Sequence, residues 1–288
     1  MIHPSELVLN PDGSIYHLKL QPEQIGRKII VAGDPGRIKS ISAHFDRIDH
    51  IVENREFVTH TGIYKNQKVS AIATGIGTDN IDIVLNELDA LVNIDLEKRE
   101  IKKEHTELEI VRIGTCGSIQ EDVPADEVVV STHAFGLDGL LNFYAFKMNA
   151  EEQKVYSEII QQTNWNKHMN VPYLVSGSSN LIQRIGKNYH HGITVTAPGF
   201  YAPQGRALRL KPRVSDVNEK LRAFKYKDFR IVNYEMETSA LYGLSSLLGH
   251  QACTVCAVVA NRYANSFSKD YKPVINQLIK EVLDNLVE

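Results

Sequence analysis

The residues Lys28-Ile29-Ile30-Val31-Ala32-Gly33-Asp34-Pro35-Gly36-Arg37 constrain the fold more than any other stretch of the chain. A short apolar run that ends at a glycine, with no polar alternation to mark a solvent face, reads as a strand buried on both sides. Asp34 and Pro35 then supply an N-cap and a first-turn proline, whose missing N–H is no loss at that position. The pattern predicts a helix through about Phe45. A strand that turns tightly into a helix is the unit of α/β architecture.

The same alternation continues along the chain. Further strands are expected at 109–113, 127–131, 193–196, 230–232 and 253–259, with helices near 150–163, 235–248 and 273–286. Residues 57–64 and 68–74 read as a hairpin around Lys65-Asn66. Ile81, Val84, Leu85, Leu88, Leu91 and Val92 mark one face of a helix. The stretch 95–107 is dense in both charge signs and reads as a solvated helix extension or loop. No linker, composition break or internal repeat divides these elements, so one domain over 1–288 is the economical reading.

Composition removes several functional classes. A formal charge of −3 argues against a general nucleic-acid binder, which needs a basic surplus to neutralise phosphates. No run of about 18 uncharged apolar residues exists, and Met-Ile-His-Pro-Ser-Glu lacks the basic and apolar regions of a signal peptide. The expectation is a cytoplasmic protein with no membrane partner. The cysteines Cys116, Cys253 and Cys256 are too few for a disulfide framework and fit a reducing compartment. Cys253-x-x-Cys256 lies inside an apolar strand pattern and reads as core packing, not as a redox or zinc pair. The histidines form no His-Glu-x-x-His, so no metal site is assigned.

Four segments carry chemistry at the ends of strands, where open α/β sheets collect their ligands. Gly33-Asp34-Pro35-Gly36-Arg37 offers backbone N–H groups and a guanidinium to an anion, although taken by itself it reads as an ordinary turn. Arg112-Ile113-Gly114-Thr115-Cys116-Gly117 ends the central strand, and arginine inside an apolar strand requires a partner. A phosphate held bidentately is the favoured partner, with a buried carboxylate as the alternative. Arg55, in Glu53-Asn54-Arg55-Glu56-Phe57, is a third candidate guanidinium that would otherwise be a surface charge.

Gly199-Phe200-Tyr201-Ala202-Pro203-Gln204-Gly205-Arg206 sets an amide and a guanidinium two residues apart. Together they can read the polar edge of a planar base while Phe200 packs on its face. Val232-Asn233-Tyr234-Glu235-Met236-Glu237 offers two carboxylates, which suit sugar hydroxyls; alternatively they merely complement the first turn of a helix.

These segments, with Tyr16-His17-Leu18, Thr74-Gly75-Ile76-Gly77 and Asn261-Arg262, occur in the order seen in uridine phosphorylases. The chain resembles the uridine branch of the nucleoside phosphorylase superfamily from about residue 16 to 262. The resemblance implies an α/β domain whose central mixed, partly closed sheet is flanked by helices. It implies the phosphorolysis of uridine to uracil and ribose 1-phosphate, with inorganic phosphate as co-substrate and no cofactor. Phosphate would be held by Gly33, Arg37, Arg112 and Thr115, with Arg55 from a neighbouring subunit; Arg37, Arg112 and Arg206 would carry catalysis. Ribose would be held by Thr115, Met236 and Glu237, with His17 from that neighbour. Phe200, Gln204, Arg206 and Arg262 would hold the base. A homo-oligomer with shared sites is implied, at least a dimer.

The chain departs from the bacterial pattern at Thr78-Asp79-Asn80, which replaces a Gly-Pro-Ser stretch. Some relatives bind a monovalent cation between subunits with residues at the positions of Glu56 and Ile76 and with that serine, so the cation site is in doubt. Cys116 stands where threonine is usual, and the regions 95–107 and 135–173 are longer than in compact bacterial members. The alternatives are a purine nucleoside phosphorylase or a nucleosidase on the same fold, and a non-catalytic nucleoside-binding protein. Purine enzymes of the lineage place an aspartate after the late strand, where this chain reads Val259-Ala260-Asn261-Arg262.

Overall fold

A computed structural model describes residues 1–288. The strands are β1 (Lys28–Ala32), β2 (Arg47–Asn54), β3 (Phe57–Tyr64), β4 (Gln67–Ala73), β5 (Ile94–Asp95), β6 (Glu100–Ile101) and β7 (Glu109–Ser118), then β8 (Val128–Gly136), β9 (Tyr173–Ser176), β10 (His190–Thr196), β11 (Lys225–Tyr226), β12 (Phe229–Glu235), β13 (Gln251–Asn261) and β14 (Ser266–Phe267). The helices are α1 (Pro35–Ser42), α2 (Thr78–Asn93), α3 (Ala150–Thr163), α4 (Ser179–Ile185), α5 (Val217–Ala223), α6 (Thr238–Leu248) and α7 (Lys272–Val287).

The large sheet runs β11-β12-β10-β8-β13-β7-β1-β4-β3-β2, and a further pairing of β12 with β7 closes part of it into a ring. Parallel pairs such as β1–β7, β7–β13 and β8–β10 are mixed with the antiparallel β8–β13 and β7–β12. The sheet is therefore mixed and partly closed. Helices cover both faces: α2 and α6 pack in one apolar cluster, while α1, α4 and α7 pack in another. Ile29 and Val31 face the first cluster and Ile30 and Ala32 the second, which is why β1 is apolar throughout.

Several local expectations are corrected. Helix α1 ends at Ser42 and not near Phe45, although Asp34 caps it by accepting the Gly36 N–H at 2.8 Å. The charged stretch 95–107 contains the β5–β6 hairpin and is no helix extension. Strand β7 runs past Ile113 to Ser118 because β13 pairs with it along that length and β12 pairs at Gly117 and Ser118. The expected helix at 235–248 begins at Thr238: Glu235 closes β12 and Glu237 occupies the cap position. Both carboxylates thus lie at a strand end and outside the helical turn.

Candidate active site

The ends of β1, β7, β12 and β13 and the loop after β10 surround a cavity of about 480 Å³. Gly33 and Arg37 reach it from the β1–α1 turn, Arg112 and Thr115 from β7. Phe200, Gln204 and Arg206 close it from the loop, and Met236 and Glu237 come from the β12–α6 junction. Four segments remote in sequence therefore face one volume.

Arg112 is 4% exposed and lies between two carboxylates. Its Nη2 donates to Glu237 Oε2, and its Nη1 stands 3.2 Å from Glu235 Oε2. Burial opposes the guanidinium charge, but the two carboxylates outweigh it and raise the Arg112 pKa far above its ordinary value. Glu237 shifts in the opposite sense for an acid: burial raises its pKa, Arg112 offsets part of that, and Glu235 adds to it. The guanidinium also needs room. A Cβ on Gly114 would lie 2.2 Å from Arg112 Nη1, so glycine is required two residues further along the strand.

Glu235, read from the sequence with Glu237 as an acceptor for sugar hydroxyls, instead organises this corner. Its Oε2 accepts the N–H groups of Glu237 and Thr238 at 2.8 and 2.9 Å, and its Oε1 accepts the Thr196 hydroxyl at 2.6 Å. It joins three elements to the guanidinium. The alternative partner for Arg112, a buried carboxylate, is thus realised twice. Arg37 adds a second positive group. Its Nη1 donates to Ile113 O at 2.9 Å, while burial, and then Arg112, lower its pKa.

The opposite wall is aromatic and amide-bearing. Arg206 lies 3.8 Å above the Phe200 ring centre, and its Nη1 donates to Gln204 Oε1 at 2.5 Å and Phe200 O at 2.6 Å. Burial and the nearby Arg262 lower the Arg206 pKa to about 10. A guanidinium remains charged at neutral pH even so; the shift means that its charge lacks a local counter-ion. The Arg262 guanidinium lies 5.6 Å from the centre of the Tyr234 ring, and its side chain packs over Gly117 beside the cavity.

Two candidate residues lie elsewhere. His17 is held by Glu87, which accepts its backbone N–H and its Nδ1–H, the latter at 2.6 Å. Arg55 stands over the Tyr16 ring at 5.5 Å. Neither lines the cavity of its own chain.

The sequence profile of the phosphorylase superfamily matches residues 27–288. The chain belongs to the phosphorylase superfamily. A nucleoside phosphorylase of Trypanosoma brucei, described as showing uridine phosphorylase activity, superposes with a TM-score of 0.90 at 32% identity. That comparison covers 98% of this chain and 99% of the other. A uridine phosphorylase of Thermococcus kodakarensis is 29% identical over 261 residues, 90% of this chain and 81% of the relative. A purine nucleoside phosphorylase of DeoD type from Colwellia psychrerythraea is 26% identical over 250 residues, 84% of this chain and 85% of the relative.

Within this phosphorylase, a second constellation was invisible in the sequence. Asp89, His105 and His250 bring ligand-type atoms within 4.8 Å of one another. The Leu108 N–H donates to His250 Nδ1 at 3.2 Å, which places the imidazole proton on Nε2, facing Asp89 Oδ1 at 3.2 Å. A nitrogen that carries a proton offers no lone pair to a metal. The arrangement orients a buried histidine. Cys253 and Cys256 are both buried in β13.

Proposed function

We propose that this chain catalyses the phosphorolysis of uridine to uracil and ribose 1-phosphate, as a pentosyltransferase of pyrimidine nucleoside salvage. The observation that carries the reading is the placement, around one cavity, of Arg37 and Arg112, of Glu237, and of the Gln204–Arg206 pair. Phosphate fits the arginine end and uracil the Gln204–Arg206 end, with ribose between them against Met236 and Glu237. Inorganic phosphate is the co-substrate, and the reaction uses no cofactor.

Cleavage of the glycosidic bond builds positive charge on the sugar and negative charge on the departing base. Phosphate placed beneath C1′ is both nucleophile and counter-charge. Two unit charges about 4 Å apart interact by on the order of 4 kcal/mol at an effective dielectric near 20, so Arg37 and Arg112 offset much of the desolvation of phosphate. Arg206 meets the anion at the other end with donors already in place. Gln204 Oε1 keeps a lone pair for a base N–H, and its Nε2 donates to a carbonyl, which matches the edge of uracil.

Asn261 bears on the purine alternative. Its amide donates to Gln120 O at 2.8 Å and Val123 O at 2.9 Å, and its oxygen accepts the Ala264 N–H. That side chain is engaged away from the cavity and supplies no acid to a purine ring. The positions of His17 and Arg55 support a site completed by a second copy of the chain, hence a homo-oligomer. No helix is long and apolar enough to cross a membrane, and we place the protein in the cytoplasm.

Incubating the protein with uridine, thymidine, cytidine and inosine, each with and without phosphate, tests the reading. Uridine consumption that requires phosphate is expected. Equal release of free ribose without phosphate would make the protein a nucleosidase, and faster cleavage of inosine would make it a purine enzyme.

A further inference from the structure

The Gln204–Arg206 loop has to hold an amide and a guanidinium in fixed register, yet the two aromatic residues at its start are exposed: Phe200 by 51% and Tyr201 by 54%. Its internal bonds, from the Gln204 and Arg206 N–H groups to Tyr201 O at 3.0 and 2.8 Å, set the turn but do not attach it to the sheet. The attachment comes from a residue outside both the loop and the cavity lining. Asn218, half-buried near the start of α5, donates its Nδ2–H to Gln204 O at 3.2 Å. Its Oδ1 accepts the Tyr234 hydroxyl at 2.9 Å. Tyr234 is 1% exposed, belongs to β12 and lines the cavity. The bridge therefore runs from a rigid strand, through one amide, to the backbone of the residue placed against the base.

Backbone geometry at the next position supports this. Gly205 has φ +71, and a Cβ there would stand 2.5 Å from Asn218 Nδ2. A side chain at 205 would be strained by the left-handed conformation and would collide with the bridging amide. The glycine leaves the space that Asn218 fills.

We infer that Asn218 is a positioning residue for base recognition, fixing Gln204 and Arg206 against Tyr234 so that the site selects a pyrimidine. The inference rests on the proposed uridine phosphorolysis. Asn218 touches no substrate. It acts through the Gln204 carbonyl, and its loss lets the loop shift away from the base while Arg37, Arg112 and Glu237 stay in place.

The test is steady-state kinetics of the parent, Asn218→Ala and Asn218→Asp, with uridine and phosphate varied separately. Asn218→Asp keeps the shape and the acceptor for Tyr234 but has no donor for Gln204 O, so it guards against a folding failure of the alanine variant. A net hydrogen bond of this kind corresponds to about three- to tenfold in binding. Both variants should raise KM for uridine by that factor and lower the uridine-to-inosine preference, with KM for phosphate within about twofold of the parent. A role confined to packing would lower the melting temperature and leave both KM values unchanged in the folded enzyme. An active parent whose folded Asn218 variants keep its uridine KM and its base preference overturns the inference alone. A parent that does not cleave uridine with phosphate overturns the proposed function, and the inference with it.

Discussion

Arg112 and Glu237 form an ion pair within the cavity, with each side chain 5% exposed. The pair joins a group assigned to phosphate with a group assigned to ribose. Glu237 is also held by the Gly77 N–H, which donates to its Oε1 at 2.8 Å. Removing one member of a buried pair leaves the other uncompensated, so the two substrates should feel a change at Glu237 in opposite directions.

Glu237→Gln is therefore expected to tighten phosphate and impair uridine cleavage. A neutral amide no longer competes for the Arg112 guanidinium, and the local positive charge rises. Phosphate binding measured by calorimetry without nucleoside should strengthen by roughly threefold or more. The glutamine accepts sugar hydroxyls less well than a carboxylate, and hydrogen bonds to charged groups contribute about 1.5–3 kcal/mol, so kcat/KM for uridine should fall about 10- to 150-fold. Weaker phosphate binding in this variant would contradict the competition.

The proposal that two subunits share each site can be checked by mixing variants. His17 and Arg55 sit together near Tyr16, and neither lines the cavity of its own chain. Arg55→Ala and Glu237→Ala should each be nearly inactive alone. After subunit exchange, some hybrid sites inherit neither lesion, and activity should recover in part. Verified exchange with no recovery would show that each site is built within one chain.

Strand ends were legible in the sequence because the chemistry there is local. Gly33-Asp34-Pro35 encodes its own turn, cap and helix start, and the apolar run before it encodes its own burial. What escaped depended on partners far along the chain. The strand is expected to stop at Ile113, yet β13 pairs with Gly114, Thr115, Cys116 and Gly117 and keeps them in it. Strand β2 opens with three exposed residues, Arg47, Ile48 and Asp49, and is recognisable only once β3 lies beside it. Arg112 announced that it needed a counter-charge but not which one, since Glu235 and Glu237 lie more than a hundred residues away. Nothing near Asn218 signals its role, which exists only where α5 passes between the loop and β12.

Acid sensitivity should centre partly on Glu109, at the start of β7. Burial pushes its pKa up, but Arg184 at 2.9 Å and Lys28 at 3.2 Å outweigh that and hold it below its ordinary value of 4.5. A depressed acid contributes stability above its unfolded pKa and loses it as pH falls through the folded one. Glu109→Gln should melt below the parent at pH 7, by on the order of 2–4 °C. The gap should narrow as the pH falls below 4.5 and the parent carboxylate becomes protonated as well. A gap that stays constant with pH would assign the loss to packing.

Gln204 and Arg206 are bonded to each other but should differ in when they act. Gln204 is buried and, in the proposed site, meets the base edge before any charge develops, so Gln204→Ala should chiefly raise KM for uridine. Arg206 carries a charge that burial and Arg262 leave without a counter-ion, and it gains most when the base becomes an anion. Arg206→Ala should therefore chiefly lower kcat, by about 10²–10³-fold, the usual loss when one such donor is removed. A nucleoside whose base leaves more readily, such as 5-fluorouridine, needs less of that help and should lose less rate in the same variant. Parallel pre-steady-state measurements on both nucleosides decide the matter. Arg206→Ala turnover of uridine within about threefold of the parent, or equal losses for the two nucleosides, would remove Arg206 from leaving-group stabilisation.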